Sequence, residues 1–443
     1  MEKRDVIIVG GGPAGRLIVH TIDASDRKMS VTLIKDEKIN VNRCAIPYGI
    51  TEEKPMGKFQ ISNGLITDFG AELLVDRVEK IDTEVNQLHT GTGKSYEYKY
   101  LVLATGSRPV VPPIPGIEAG NITSVRSIDD LSLLRQLASK GKRAVVVGGG
   151  YIGLEVAVVL RQMEIDVTLV EMLPKILMNT TEPEFIGLIE KTLAENDLRV
   201  LANEKVVEFK HQADGSVDVK LGNGDVLAVD FVVLSAGVAP NTELAAQAGL
   251  ETSRLGIRTD KNMRTSVQNI YACGDCAEKQ SFVTGEPTRG EFGTNAVFMA
   301  RVAAQNILDN NAKFPGVLNA NASAIYDWSL GSAGLTEQMA RDADIDVVTG
   351  YSEVNDKYPM MDNVDVVRTK LVFNRSSQKL IGGSVIRKGG CTAQNVDFIS
   401  FAIQMGATMN NLADYQYATH PELAAKPSDN GYGFAARQAL GKL

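Results

Sequence analysis

Cysteine is scarce, with four in 443 residues, at positions 44, 273, 276 and 391. So wide a scatter makes no disulfide framework of the secreted kind and fits a reducing compartment. Nor do the four have the spacing of a zinc cluster, and no metal is expected. Long apolar runs are also missing. The best, "AVVVGGGYIGLEVAVVL", is broken by glycines and by Glu155, which makes a poor membrane span. The amino-terminal apolar run Val6–Val9 is too short for a secretory signal, and no small-residue cleavage site follows it. Excess positive charge is lacking too: 46 Lys and Arg stand against 54 Asp and Glu, a net charge of −8. That balance argues against a general binder of nucleic acid or membrane surfaces. A soluble, cytoplasmic protein acting on a small molecule is expected.

What is present is ordinary globular composition, 44% hydrophobic and 23% charged, in a chain too long for one core. The chain also repeats itself. "VIIVGGGPAG" (6–15) returns as "VVVGGGYIG" (145–153), "VTLIK" (31–35) as "VTLVE" (167–171), and "LVLATG" (101–106) as "VVLSAG" (232–237). Each copy reads strand, glycine turn, helix, strand, and a later strand closing on glycine, which is a parallel βαβ unit. Beyond residue 318 the pattern changes to alternating strands with a turn at Asn374–Lys379, and "AQNVDFISFAIQMGA" has helical spacing. The expected fold class is therefore α/β. Two Rossmann-like dinucleotide-binding domains are followed by a C-terminal α+β domain. Pro and Gly clusters at "VPPIPG" and "GVAPN" suggest boundaries. The expected division is 1–115 with 242–318 as one discontinuous domain, 116–241 as the second and 319–443 as the third.

Each copy carries GxGxxG, at Gly10, Gly12, Gly15 and at Gly148, Gly150, Gly153, after a Val/Ile strand and before an apolar helix. The first glycine permits the turn, the second lets a pyrophosphate approach, and the third lets helix pack on strand. The helix N-terminus then receives the phosphates. An acid ending the second strand should grip a ribose. In the second copy it is Glu171, with no arginine directly after it for a 2′-phosphate, so NADH is favoured and NADPH is the alternative. In the first copy that position is Lys35, leaving Asp36 or Glu37 to make the contact. "TGTGKS" (90–95) resembles a phosphate-binding loop, but the position needing its first glycine is Leu88, and a hairpin turn is expected. Within "VNRCAIPYGI" (41–50), Cys44 can be read as a filler thiol, as half of a disulfide or as a reactive centre.

With "LVLATG" and "IYACGDCAE" (270–278), the two motifs make the chain resemble, nearly end to end, the two-dinucleotide-binding flavoprotein disulfide reductases. The resemblance implies FAD in the first copy, the nicotinamide nucleotide in the second and a homodimer through the last domain. It places Gly10, Gly12, Pro13, Ala14, Gly15, Lys35, Asp36, Asn42, Arg43, Val78, Ala104, Thr105 and Gly106 at the flavin. There too it places Gly274 and Asp275 of the "GD" motif, with Asp275 on the ribitol side, and the N–H of Ala296 near the pyrimidine. At the nicotinamide nucleotide it places Gly148, Gly150, Ile152, Gly153, Glu171 and Gly237, with Tyr151 shielding the flavin and Glu155 nearby. The family's Cys-x4-Cys pair and the thioredoxin reductase type of Cys-x2-Cys are both missing. Cys273 and Cys276 flank the "GD" residues and so belong to the flavin loop.

The single-cysteine branch, which holds coenzyme A-disulfide and coenzyme A persulfide reductases, NADH peroxidase and NADH oxidase, has its redox cysteine where Cys44 lies. "RCAIPY" resembles the Cys-x-x-Pro-Tyr of the coenzyme A enzymes. Tyr358 in "DKYPM" and Tyr417 in "YQYATHP" resemble their two C-terminal tyrosines, which reach the cysteine across the dimer. Thr419 and His420 stand where those enzymes have proline. "THP" resembles the acid/base His-Pro of lipoamide dehydrogenase-like enzymes, although their orienting glutamate is Ala425 here. His420 is then either a proton donor or a capped surface histidine.

The implied function is reduction of a disulfide or persulfide by NAD(P)H through Cys44, with coenzyme A among the candidate ligands. The alternatives are an NADH oxidase or peroxidase cycling Cys44 through sulfenic acid, and a flavin-bound redox sensor or electron-transfer protein. Arg43 and a helix starting at Cys44 are expected to depress the thiol pKa, Tyr48 to line the substrate entrance, and Cys391 to be a packed thiol.

Overall fold

The strand Glu2–Val9 is flanked by Val31–Lys35 and Ser95–Leu103, both parallel to it, with Val9 opposite Ile34 and Leu103. Its inner half, Val6 to Val9, is buried on both faces, as a central strand of a parallel sheet must be. The computed structural model describes residues 1–118 and 120–443. The sheet extends through Glu72–Val75 on one side and the hairpin strands Val78–Asp82 and Gln87–Thr90 on the other. The chain returns to it much later, when Ile270–Ala272 pairs in parallel with Ser95–Leu103. The helix Gly293–Ile307 then packs beside the helix Pro13–Asp23. "TGTGKS" is the turn between Gln87–Thr90 and Ser95–Leu103, which pair antiparallel.

The second unit repeats the plan. Arg143–Val147 lies between Asp166–Val170 and Phe231–Leu234, and Ile122–Thr123 and Arg199–Leu201 extend the parallel sheet. The register is the same as in the first unit: Val147 faces Val170 and Leu234 as Val9 faces Ile34 and Leu103. A separate antiparallel sheet, Val206–His211, Val217–Leu221 and Val226–Val229, covers one side. The two connections between the units run side by side, Ser107–Pro109 against Val238–Pro240.

The third unit is a five-stranded antiparallel sheet ordered Asn321–Ile325, Trp328–Gly334, Leu380–Lys388, Val366–Asn374 and Val347–Asn355. The helix Ala393–Gln404 packs on it through Val396, Ile399 and Ile403. The helix Gly431–Leu440 comes so close that a Cβ on Gly350 would lie 1.7 Å from the Ala435 carbonyl oxygen, so only glycine fits there. No helix among the described residues is long and apolar enough to cross a membrane.

Candidate active site

Both glycine turns can be read atom by atom. Gly10 and Gly148 have φ of 120° and 107°, and a Cβ on them would lie 2.1 and 2.3 Å from the carbonyl oxygens of Ala104 and Ser235. On Gly15 and Gly153 it would meet the carbonyl oxygens of Gly10 and Gly148 at 2.0 and 1.9 Å. Those four glycines are demanded by the fold. Gly12 and Gly150 are different. Their backbones are extended, with φ of −69° and −76°, which any residue adopts, and a Cβ on either would meet no atom within 4 Å. Each faces open space at the N-terminus of a helix, Pro13–Asp23 and Tyr151–Gln162. A pyrophosphate fits that space, because the first-turn N–H groups point into it.

At the end of the second strand the two copies diverge. Glu171 accepts the N–H of Gly149 at 2.6 Å and of Leu173 at 2.7 Å, one on each carboxylate oxygen, with further lone pairs for a ribose. Lys35 is buried in the matching place beside Gly11 and donates to Asn63 Oδ1 at 2.7 Å. Asn40 Nδ2 donates to the Gly11 carbonyl at 3.0 Å. Asp36 is exposed, and Glu37 is taken by Arg43 at 2.7 Å. Val78 and Ala104 are buried, and Ala104 N–H donates to the Val9 carbonyl. Thr105 and Gly106 are stitched to Asn241 by three hydrogen bonds of 2.8 to 2.9 Å, beside the positive-φ Gly237.

Asp275 accepts from Ser107 Oγ at 2.8 Å, next to the positive-φ Gly274. Cys276 Sγ donates to the carbonyls of Leu103 and Cys273 at 3.3 Å, and burial raises both thiols of Cys273 and Cys276. They are packed behind the Gly274–Asp275 loop. Ala296 N–H is spent on the Phe292 carbonyl at 3.0 Å, the first bond of its own helix. That N–H is thus already bonded within its helix, whereas the N–H groups before it lack such a bond.

Cys44 sits in the short 3-10 turn Arg43–Ala45, preceded by Asn42 and continued by Pro47–Gly49. Ile46 and Ile50 anchor the turn. Both are fully buried and pack with Leu131, Leu134 and Leu154 of the second unit. Arg135, also of the second unit, donates to the carbonyls of Gly49, Thr51 and Lys54 at 2.7 to 3.2 Å. Cys44 itself is exposed.

Its thiol pKa is raised rather than depressed. The close protein wall desolvates it, the Glu155 and Asp275 carboxylates add to the rise, and Arg126 opposes them. The expected help from Arg43 fails because that guanidinium is paired with Glu37 and the element at Cys44 is a three-residue turn with little dipole. Burial pushes the Tyr48 hydroxyl up to about 12, with Glu155 contributing through charge and a hydrogen bond. Glu155 also accepts from Ser323 Oγ of the third unit at 2.7 Å, and burial raises its carboxyl.

The cation that does face this site is one the sequence reading missed. Arg126 donates to the Ser107 carbonyl, stands beside Gly106 and is pulled down to about 10, first by burial and then by Arg43. Alkylation of Cys44 by iodoacetamide should therefore rise with pH to a midpoint above the ordinary thiol value of about 8.5. Glu155→Gln should lower that midpoint and Arg126→Met should raise it. A midpoint unmoved by both substitutions would refute this electrostatic picture.

Tyr151 opens the second-copy helix, Ile152 beside it is exposed, and the Tyr151 hydroxyl lies 3.4 Å from Thr181 Oγ1. In the third unit, Tyr358 N–H donates to the Pro421 carbonyl at 3.0 Å and its hydroxyl to Thr419 at 3.5 Å. His420 Nδ1 accepts the N–H of Glu422, and Tyr417 donates to the Pro427 carbonyl. Tyr417 and His420 are exposed on the segment after Met409–Ala413, and the half-buried Tyr358, from the loop before Val366–Asn374, is tied to that segment through Pro421 and Thr419. None is hydrogen-bonded to the Arg43–Ala45 turn among the described residues. Cys391, expected to be packed, is exposed, because Gly389 and Gly390 at positive φ carry the loop away from the sheet.

The pyridine nucleotide-disulphide oxidoreductase family matches residues 4–300, and its dimerisation domain matches 321–430. The chain is 33% identical to an NADH oxidase of Methanocaldococcus jannaschii, over 99% of each protein. It is 28% identical to a CoA-dependent NAD(P)H sulfur oxidoreductase of Pyrococcus furiosus, over 94% of this chain and 96% of that one. The solved structure of an NAD-dependent persulfide reductase from A. fulgidus superposes with a TM-score of 0.92 at 30% identity, covering 99% of this chain and 83% of that one. The chain belongs to the pyridine nucleotide-disulphide oxidoreductase family. It is an oxidoreductase whose cofactors are FAD and NAD(P)H.

Proposed function

We propose that this chain uses NADH to reduce a persulfide or disulfide of the coenzyme A type, through Cys44 as its redox centre. The observation that carries this reading is Cys44 exposed on a turn that Arg135 fastens to the second unit and that Arg126 faces, whereas Cys273 and Cys276 are buried and Cys391 lies in the third unit. The resemblance of "RCAIPY" and the sulfur- and persulfide-reducing relatives support the substrate class. We assign residues 1–115 and 242–318 to FAD, 116–241 to the nicotinamide nucleotide and 319–443 to a homodimer contact. Exposed Phe401 and Met405 on and just after the helix Ala393–Gln404 suit such a contact.

When bound, FAD supplies a two-electron relay between NADH and sulfur. The chain's residues do the rest. Gly12, Gly150 and their helix N-termini hold pyrophosphates, and Glu171 holds the nicotinamide nucleotide's ribose. Arg126 keeps positive charge beside the cysteine, offsetting Glu155 and Asp275. Cys44 thiolate attacks the outer sulfur of the substrate, forming a Cys44 disulfide from a disulfide or a Cys44 persulfide from a persulfide while the other sulfur departs as a thiolate anion. The two electrons of NADH then cleave the new S–S bond and return Cys44 as thiolate. The half-buried Tyr358 and the exposed Tyr417 and His420 of the third unit are assigned as proton donors to the departing anion from across the dimer. The balance is one NADH and one proton consumed for each S–S bond broken.

A second reading keeps the same residues but uses oxygen or peroxide as oxidant, with Cys44 passing through sulfenic acid. It is favoured by the M. jannaschii relative's name. Steady-state NADH consumption with coenzyme A persulfide, coenzyme A disulfide, H2O2 and O2 separates the two. The highest kcat/KM is expected with the persulfide or disulfide. Turnover with only H2O2 or O2 overturns the first reading in favour of the second, and no turnover with any oxidant leaves the sensor or electron-transfer alternative.

A further inference from the structure

Cys44 lies on a closed loop of the first unit. The pairing of Asn40–Val41 with Gln60–Ile61 shuts its base, and Asn42 N–H donates to the Phe59 carbonyl at 2.9 Å. Within the loop, backbone bonds lead from the cysteine turn straight into the next one. Ala45 N–H donates to the Asn42 carbonyl at 3.0 Å, Ile46 N–H to Arg43 at 3.2 Å and Gly49 N–H to Ile46 at 2.9 Å. Cys44 and Gly49 therefore belong to one continuous piece of backbone, and what holds Gly49 also holds the thiol.

The second half of the loop turns three carbonyls toward one guanidinium. Arg135 Nε donates to Gly49 at 2.7 Å, and its Nη2 donates to Lys54 at 2.7 Å and to Thr51 at 3.2 Å. The guanidinium carbon also lies 5.8 Å from the centroid of the Phe59 ring, which is 4% exposed. Among the described residues the Arg135 side chain bonds to nothing outside this loop and pairs with no carboxylate. Arg135 stands on the helix Ile128–Lys140 of the second unit, one turn after Leu131. A Cβ on Gly49 would lie 3.0 Å from Leu131 Cδ2 and 2.9 Å from Phe59 Cζ, so loop and helix are pressed together there.

Apolar packing is non-directional and would hold the loop near the helix without fixing its placement. Three hydrogen bonds from one planar fork do fix it. Nor does Arg135 serve by charge at the thiol, where the leading charges are Glu155, Asp275 and Arg126.

We propose that Arg135 is a positioning residue for Cys44: by clamping the carbonyls of Gly49, Thr51 and Lys54 it sets where the thiol stands for electron transfer and for attack on the substrate. The inference rests on the reading that Cys44 is the redox centre. Misplacement of a reacting group by about 1 Å costs on the order of 100-fold in rate. Reduction of the flavin by NADH does not use Cys44, so only the second half of the reaction depends on the clamp.

The test uses the flavin-loaded enzyme with NADH and coenzyme A disulfide, or H2O2 if only that supports turnover. Arg135→Met keeps the length of the stem and removes every donor. It should lower kcat/KM for the oxidant by roughly 10- to 100-fold and leave kcat/KM for NADH unchanged. Arg135→Lys, which still donates to the same carbonyls, should recover the native value to within about 3-fold. Amide hydrogen exchange at Ala45, Ile46 and Gly49 should quicken by about 10-fold or more in Arg135→Met, which reads the clamp apart from activity. If Arg135→Met does not retain flavin, Arg135→Gln, shorter and neutral but still a donor, carries the same comparisons. A native kcat/KM for the oxidant overturns the proposal whatever the melting temperature. So does an equal fall in both kcat/KM values, which would mark general damage. Cys44→Ser is the control. If it matches the native enzyme with every oxidant, the redox assignment fails and takes the proposal with it. If it is inactive while Arg135→Met is native, only the positioning role falls.

Discussion

Cys44→Ser should leave the flavin reducible by NADH and stop the transfer of electrons onward, lowering turnover by roughly 10³-fold or more. The exchange is nearly isosteric, and the residue is exposed on a turn anchored by Ile46 and Ile50, so folding should be untouched. A hydroxyl cannot replace the thiol, because it ionises far less readily and forms no S–S bond with the substrate. The measurement has two halves. Anaerobic mixing with NADH should bleach the flavin at the native rate, and adding the oxidant should then fail to restore it. Native turnover in the variant would remove Cys44 from the reaction. A loss of flavin bleaching as well would show that the substitution had disturbed more than sulfur chemistry.

Gly12→Val and Gly150→Val should each empty one nucleotide site of a folded protein. Neither glycine is needed for its φ, and neither approaches a protein atom that a Cβ would strike. The only occupant that a valine could displace is the pyrophosphate. Gly12→Val should therefore purify without flavin colour. Gly150→Val should keep its flavin and bind NADH on the order of 100-fold more weakly, about 3 kcal/mol. The melting temperature should change little in Gly150→Val, whereas Gly148→Val, whose Cβ would lie 2.3 Å from the Ser235 carbonyl oxygen, should not fold normally. A valine at Gly150 with native NADH affinity would place the nucleotide elsewhere.

The two glycine turns were legible because backbone geometry leaves so few residues that fit them, and the twofold repetition was legible because both units use the same register. Charge was much less so. Arg126 and Arg135 carry no motif. Each is a single arginine near the start of the second unit, brought against the cysteine turn only by tertiary packing. The direction of the Cys44 shift was misread for the same reason, since Glu155 and Asp275 lie 111 and 231 residues further along the chain. Arg43, adjacent in sequence, had already been claimed by Glu37. Proximity along the chain is a weak guide to which charge a thiol experiences. Lys35 was visible as an oddity, but its burial against Asn63 depends on a loop whose path no periodicity reveals.

The pairing of Ser107–Pro109 with Val238–Pro240 makes the second unit an insertion with adjoining ends. A segment that leaves and rejoins its host at neighbouring backbone positions can be exchanged as a cassette without reopening the host's sheet. Arg135 and the Ile46–Leu131 contact qualify that freedom. They fasten the cysteine turn of the host to the inserted unit, so a transplanted cassette would bring its own grip on that turn along with its own nucleotide preference. Changes of electron donor and changes in the setting of the thiol are thus mechanically coupled in this architecture.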